Sequence, residues 1–368
     1  MPQIHTPYYL IDESRLQKNL EIIRLVRQES GARSVLALKC FSTWCVFDLM
    51  RQYMDGTTSS SLFEARLGHE MFGKEVHAYS VAYSAEELDA VSAFANKVIF
   101  NSVSQLKLFR DRVHGVNVGV RVNPGVSHSH YDLADPARRY SRLGVSNYEE
   151  LQDVIGLING MMFHFNCEND EVATIAAALE SIGARYAPLL ERMEWVSLGG
   201  GISFTKEGYQ LERFCAVLKE FGERYGVRLY LEPGEAAITD STELVTTVLD
   251  VVHNEIDIAI VDASVEAHLL DHLIYRTSPR LASPGAGSYP MMVAGRSCLA
   301  GDIFGSYELE KRLKIGDEVR IADTAGYTMV KKNWFNGVAM PSIAVRRLNG
   351  AVELVRSFGY EEYKNTLS

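Results

Sequence analysis

Between residues 30 and 235, short apolar runs alternate with amphipathic stretches, and this alternation restricts the possible folds more than any other property of the chain. Eight runs read as strands: 34–39, 57–60, 76–80, 97–101, 116–122, 160–166, 195–199 and 228–232. Helical spacing separates them. Val46, Leu49, Met50 and Tyr53 share a helical face, and Ser84 followed by Glu87 forms a capping box. Further helices are expected over 103–113, 148–158, 171–190 and 209–224. Repeated strand–helix units bury their apolar faces as a parallel sheet covered by helices. A strand count of eight favours a closed (β/α)8 TIM-like barrel over the alternative, a doubly wound open sheet.

After Glu232-Pro-Gly234 the texture changes. Segments 243–253, 256–263, 290–298, 318–324, 342–348 and 352–358 are rich in β-branched and apolar residues, with one short helical pattern near 264–274. The α/β barrel is therefore expected over 12–238, followed by an all-β domain over 239–368. Residues 1–11 are expected to add a strand to that domain through Pro7-Tyr-Tyr-Leu-Ile11, and 283–288 reads as an exposed loop. A chain of 368 residues, 47% of them hydrophobic, can fill both cores. Its net charge of −10 argues against a nucleic-acid surface. The five cysteines are scattered without a CxxC pair, which suits neither a disulfide framework nor a zinc site and fits a reducing cytoplasm. Neither a secretory leader nor an apolar run of membrane-spanning length is evident.

In a barrel of this kind chemistry sits at the C-terminal ends of the strands. Lys39, His164, Gly199-Gly200-Gly201 and Glu232 all stand there. A lysine at the rim of a core loses water, its pKa falls, and its amine becomes a nucleophile able to form a Schiff base with an aldehyde cofactor such as pyridoxal phosphate. The same lysine also fits a side chain that simply snorkels to water. Three glycines after a strand let backbone N–H groups approach an anion, or merely make a tight turn. His164 among aromatics also fits a satisfied core residue, and Glu232 before Pro-Gly a turn carboxylate.

The order of these residues, together with Ala37-Leu38-Lys39-Cys40, Arg121-Val-Asn-Pro-Gly125, Ser141-Arg-Leu-Gly144, Cys298 and Ala325-Gly-Tyr-Thr328, resembles the fold-type III pyridoxal-phosphate decarboxylases. These are the group of ornithine, diaminopimelate and carboxynorspermidine decarboxylases, and the resemblance runs along nearly the whole chain. It implies an alanine racemase-like barrel plus β domain, pyridoxal 5'-phosphate as cofactor and a homodimer with shared active sites. It also implies roles. Lys39 holds the cofactor, Glu232 pairs with its ring nitrogen, and His164 stacks on the ring. Gly199, Gly200, Gly201 and Tyr327 cradle the phosphate, with Arg121 beside them. Cys298 reaches in from the partner to reprotonate the substrate carbon. A free cysteine is also at home as a small buried hydrophobe.

Within this group, Lys39-Cys-Phe-Ser-Thr-Trp44, Phe163-His-Phe-Asn-Cys-Glu168, Glu232-Pro-Gly-Glu235 and Asn333-Trp-Phe-Asn-Gly337 look most like the carboxynorspermidine decarboxylase branch. The lysine-, ornithine- and diaminopimelate-specific relatives carry arginine where this chain has Glu235. A carboxylate there repels a second carboxylate and favours a substrate with ammonium groups along its length. Glu235 and Asp271 are the implied partners of those ammonium groups, with Asp302 a further candidate. Thr58 stands where ornithine decarboxylases carry an aspartate. A diaminopimelate, ornithine or arginine decarboxylase is the alternative, and a non-catalytic pyridoxal-phosphate-binding protein is a third reading.

Overall fold

The structure is a computed structural model that describes residues 4–282 and 287–368. The chain divides into two compact units, Asn19–Ala237 and Met1–Lys18 with Ile238–Ser368.

In the first unit, eight parallel strands close into a barrel: β2 (Arg33–Ala37), β3 (Gly56–Ser59), β4 (Glu75–Tyr79), β5 (Lys97–Phe100), β6 (Asn117–Arg121), β7 (Gly160–Met162), β8 (Trp195–Ser197) and β9 (Arg228–Leu231). The ring shuts between β2 and β9, where Arg33 registers with Tyr230 and Ala37 N–H donates to Pro233 O at 3.1 Å. All eight expected strands are present, though several end earlier than the apolar runs suggest. β7 stops at Met162, because beyond Phe163 the chain turns aside and Asn166 bridges to His128. The Ser84–Glu87 capping box is made in both directions, at 3.2 and 3.0 Å. Helix Glu13–Ser30 was not expected, although Leu16, Leu20, Ile23 and Val26 share one buried face.

Trp195 plugs the barrel interior within a buried cluster of Val35, Tyr79, Ile99, Met162 and Tyr230. Its indole is accommodated because β6 and β7 carry glycines opposite it. A Cβ at Gly160 would lie 2.1 Å from the indole, and one at Gly119 2.5 Å. At the N-terminal end of the strands Glu75 gathers the polar groups. Lys97 Nζ and Tyr230 OH donate to it at 2.9 and 3.0 Å, His77 Nε2 lies at 3.1 Å, and Arg33 completes the set. The charges there are satisfied by one another, and the opposite end of the barrel is where chemistry sits in this fold.

In the second unit, one sheet runs β13-β12-β11-β10-β1-β15-β16 with β14 on β10. Here β1 is Tyr8–Asp12, β10 Thr242–Asn254, β11 Ile256–Val261, β12 Tyr289–Ala294, β13 Ile303–Leu309, β14 Glu318–Ala322, β15 Ser342–Arg346 and β16 Val352–Arg356. The expected N-terminal strand is β1, and it is central, antiparallel to β10 and parallel to β15. β13 went unexpected: Gly305 and the charged Glu308 interrupt its apolar pattern. The short helical pattern resolves into Val265–His268 and Leu270–Tyr275. Residues 283–286 of the expected loop lie outside the described residues.

Candidate active site

Lys39 lies in the turn directly after β2. Cys40 and Phe41 N–H both bond back to Ala37 O, at 3.0 and 3.2 Å, so the chain turns sharply while Leu38, Cys40 and Phe41 are fully buried. That turn leaves Lys39 as the one solvent-accessible residue of the segment 34–40, in a recess walled by protein. Lost hydration, then the positive charge of Arg121, lowers its pKa below the ordinary 10.5, while Glu232 and Glu64 oppose the shift.

Glu232, directly after β9, is almost fully buried and accepts from Ser197 Oγ at 2.6 Å. Burial raises its pKa, against hydrogen bonds from Ser197 and Thr58 and the charges of Lys39 and Arg121. Thr58 thus binds the carboxyl directly, which gives the substitution at the usual aspartate position a concrete role. Beside it, His164 Nδ1 accepts from Gly200 N–H at 3.2 Å, which leaves the ring proton on Nε2. Enclosure, followed by Lys39 and Arg121, holds the imidazole well below its usual pKa, so it is a neutral flat ring at physiological pH. The glycine turn has no spare room. Cβ atoms at Gly199, Gly200 and Gly201 would fall 2.3, 2.3 and 2.2 Å from His164, Glu232 O and Asn166 O. Gly199 and Gly201 also have φ of +70° and +78°, which only glycine adopts freely.

Arg121, at the end of β6, is buried and donates to Tyr79 OH at 3.0 Å; Tyr79 OH donates to Asn101 Oδ1 at 2.9 Å. Asn101 in turn receives Gly144 N–H at 2.8 Å and donates to Arg142 O at 2.9 Å. The Arg121 motif and the Ser141–Gly144 motif are therefore one hydrogen-bonded unit. Glu64 and Glu235 lie in charge contact with the same recess, Glu64 through Lys39 and Glu235 through Cys167. Tyr79, Asn101, Ser197 and Glu64 were not singled out from the sequence. Three of them follow the strand-end rule, since Tyr79 and Ser197 close β4 and β8 and Asn101 directly follows β5.

The remaining candidates belong to the second unit. Asp271 accepts from Lys331 Nζ at 2.5 Å, and that ammonium lies 5.1 Å from the centre of the Tyr327 ring. Tyr327 has a left-handed φ of 48°. Asp302 is buried, its carboxylate receiving Val265 N–H at 2.6 Å and Ser297 N–H at 3.0 Å. Cys298 is exposed, and its N–H donates to Asn336 Oδ1 at 2.6 Å.

The barrel residues fit pyridoxal phosphate on their own geometry. An amine of lowered pKa, a buried carboxyl able to share a proton with a ring nitrogen, a neutral ring for stacking and a glycine turn closed to any Cβ follow β2, β9, β7 and β8 at the C-terminal end of the barrel.

Comparison with known proteins agrees. Residues 20–239 match the family model described as pyridoxal-dependent decarboxylase, pyridoxal binding domain. The chain is 51% identical to a carboxynorspermidine/carboxyspermidine decarboxylase of Herminiimonas arsenicoxydans, over 99% of this chain and 100% of that one. It is 37% identical to a carboxyaminopropylagmatine decarboxylase of Synechocystis, over 100% and 96% of the two chains. Carboxynorspermidine decarboxylase from Campylobacter jejuni, solved with norspermidine, superposes with a TM-score of 0.92 at 32% identity, covering 99% of this chain and all of that one. With its glycine turn, its lysine and its buried carboxyl in one barrel mouth, this chain belongs to the pyridoxal-dependent decarboxylases.

Proposed function

We propose that this enzyme decarboxylates carboxynorspermidine, and carboxyspermidine with it, to norspermidine and spermidine in polyamine synthesis. The observation that carries this reading is the segment that follows β9. Glu232 is buried beside Lys39, and three residues on, Glu235 adds a second carboxylate that interacts with the Cys167 side of the same recess. A second carboxylate favours a substrate rich in ammonium groups and disfavours diaminopimelate. The high identity to the Herminiimonas relative supports the same choice.

Bound pyridoxal phosphate supplies the electron sink for the bond to CO2. The chain supplies the rest. Lys39 Nζ, an amine of lowered pKa, would hold the cofactor. Glu232, fixed by Ser197 and Thr58, would pair with the ring nitrogen and keep it protonated. His164, fixed by Gly200, would stack on the cofactor ring. Gly199, Gly200, Gly201 and Tyr327 would hold the phosphate, and Arg121, braced by Tyr79, sets the charge of the recess. Glu235 and Asp271 bind substrate ammonium groups. Cys298 Sγ–H gives its proton to the α-carbon that CO2 leaves, and solvent restores the thiol. We further propose a homodimer in which Cys298 serves the partner's site, working in the cytoplasm, where cysteines without disulfides persist.

The test is CO2 release by the cofactor-loaded enzyme from carboxynorspermidine, carboxyspermidine, carboxyaminopropylagmatine and diaminopimelate. Carboxynorspermidine or carboxyspermidine should give the highest kcat/KM, and Glu235→Arg should lower that value at least about tenfold with cofactor binding unchanged. Preference for diaminopimelate, or equal turnover by Glu235→Arg, would overturn the assignment.

A further inference from the structure

We infer that Asn336 is a positioning residue for Cys298, holding the thiol so that its proton reaches the substrate carbon and no neighbouring atom. The inference rests on the reading of Cys298 as proton donor. Its basis is the way the Cys298 loop is tied down. Asp302 pins Ser297 N–H at 3.0 Å, and with its other oxygen reaches Val265 N–H, 2.6 Å away, at the start of helix Val265–His268. Its own N–H and C=O close the loop on Leu299 O and Gly295 N, at 2.9 and 2.8 Å. A Cβ at Gly295 would lie 2.3 Å from the Asp302 carboxylate and would displace it from this position.

The following residue is held from the opposite side. Cys298 N–H donates to Asn336 Oδ1 at 2.6 Å. Asn336 reaches it from a left-handed backbone, φ 54° and ψ 13°, a region asparagine tolerates better than most residues. That conformation is itself anchored. Asn333 Oδ1 receives Phe335 N–H at 2.8 Å, Asn333 Nδ2 donates to Glu266 O at 3.1 Å, and Asn333 N–H donates to Ala267 O at 2.9 Å. One short helix therefore carries both clamps, Asp302 through Val265 and the Asn333–Gly337 turn through Glu266 and Ala267.

With the N–H groups of residues 297 and 298 both fixed, a single torsion about Cα–Cβ of Cys298 governs where Sγ sits. That precision has chemical value. The proton leaves sulfur and forms a C–H bond at the substrate α-carbon, and the product amine departs with the cofactor intact. If the proton arrives at the adjoining cofactor carbon instead, water releases an aldehyde and the cofactor is left as pyridoxamine phosphate. Displacements of ~1 Å change rates of aligned reactions by on the order of 100-fold, so slack in this loop appears as misdirected protons.

The experiment uses cofactor-loaded Asn336→Gly, Asn336→Asp and Cys298→Ala enzymes. Glycine keeps the left-handed backbone and loses the acceptor; aspartate keeps the acceptor. The readouts are pyridoxamine phosphate formed per CO2 released and the rate of Cys298 alkylation by iodoacetamide in the cofactor-free protein, followed by peptide mass spectrometry. Asn336→Gly should raise misdirection about five- to tenfold, the value of one lost hydrogen bond, and should change the alkylation rate at least about threefold. Asn336→Asp should return misdirection toward the wild-type level. Wild-type partitioning or wild-type alkylation in Asn336→Gly, or no rescue by aspartate, overturns the proposal. If Cys298→Ala itself partitions like wild type, the proton-donor reading fails and Asn336 has nothing to position, a result distinguishable from the failure of Asn336→Gly alone.

Discussion

At the scale of single residues, the recess around Lys39 makes a statement about pH. The amine that attacks an aldehyde is the neutral one, and burial with Arg121 moves its pKa below 10.5. The rate of pyridoxal phosphate uptake by the cofactor-free protein should be flat above that lowered value and fall about tenfold per pH unit below it. Arg121→Met removes a positive neighbour, so the break should move to higher pH; a wild-type break at 10.5, or a downward move in the variant, would contradict the geometry. Stability carries the same sign. Between the lowered and the ordinary value the unfolded chain binds more protons than the folded one, so this group makes the cofactor-free protein more stable as pH rises through that window. Lys39→Met should flatten this slope in urea melts, and an unchanged slope would show that the lysine is not strained in its recess. Lys39, His164, Gly199–Gly201 and Glu232 were legible in the sequence because each stands where a strand ends. Tyr79, Asn101 and Ser197 stand at strand ends too, but their purpose lies in tertiary hydrogen bonds: Asn101 matters because it joins Tyr79 to Gly144, 43 residues away. Asn336 carried only a family likeness, since its role depends on facing Cys298 across 38 residues of chain.

At the scale of elements, the barrel was legible because its period is simple and its helices separate strands of similar length. The register of its interior was not. Gly119 and Gly160 read as ordinary strand glycines until Trp195 is seen lying across both. Replacing either one therefore tests packing and not chemistry. Gly160→Ala puts a methyl group 2.1 Å from the buried indole, so the ring or the strand has to move. Overpacking of that kind costs about 1–3 kcal/mol, which corresponds to roughly 2–12 °C in melting temperature for a unit of this size. The cofactor absorbance of the folded protein should be retained. Wild-type melting would mean the interior can give way around Trp195. The second unit was less legible for a related reason. β13 alternates imperfectly, and the N-terminal strand β1 pairs with partners more than 230 residues away, a separation that local pattern cannot report.

At the scale of the whole molecule, the proposed division of labour between subunits has an arithmetic consequence. Lys39 belongs to the barrel unit and Cys298 to the β unit, and the proposed dimer completes each site with one residue from each chain. A Lys39→Ala homodimer then has two sites without the amine, and a Cys298→Ala homodimer two sites without the proton donor. A mixed dimer pairs both lesions in one site and leaves the other intact. If subunits exchange at random in an equal mixture, half of the dimers are mixed and half of their sites work, so about a quarter of the wild-type rate should return from two impaired parents. The gain should grow with the time allowed for exchange and saturate near that fraction. If both residues instead serve a site within the same chain, every site in the mixture keeps one lesion or the other, and mixing adds nothing to the parental rates. Product partitioning sharpens the distinction: the restored turnover should release CO2 with wild-type retention of the cofactor, because the active site of a mixed dimer carries an unaltered Cys298 held by an unaltered Asn336. Restored turnover with the misdirection of Cys298→Ala would place the proton donor elsewhere, even in a dimer that shares its sites.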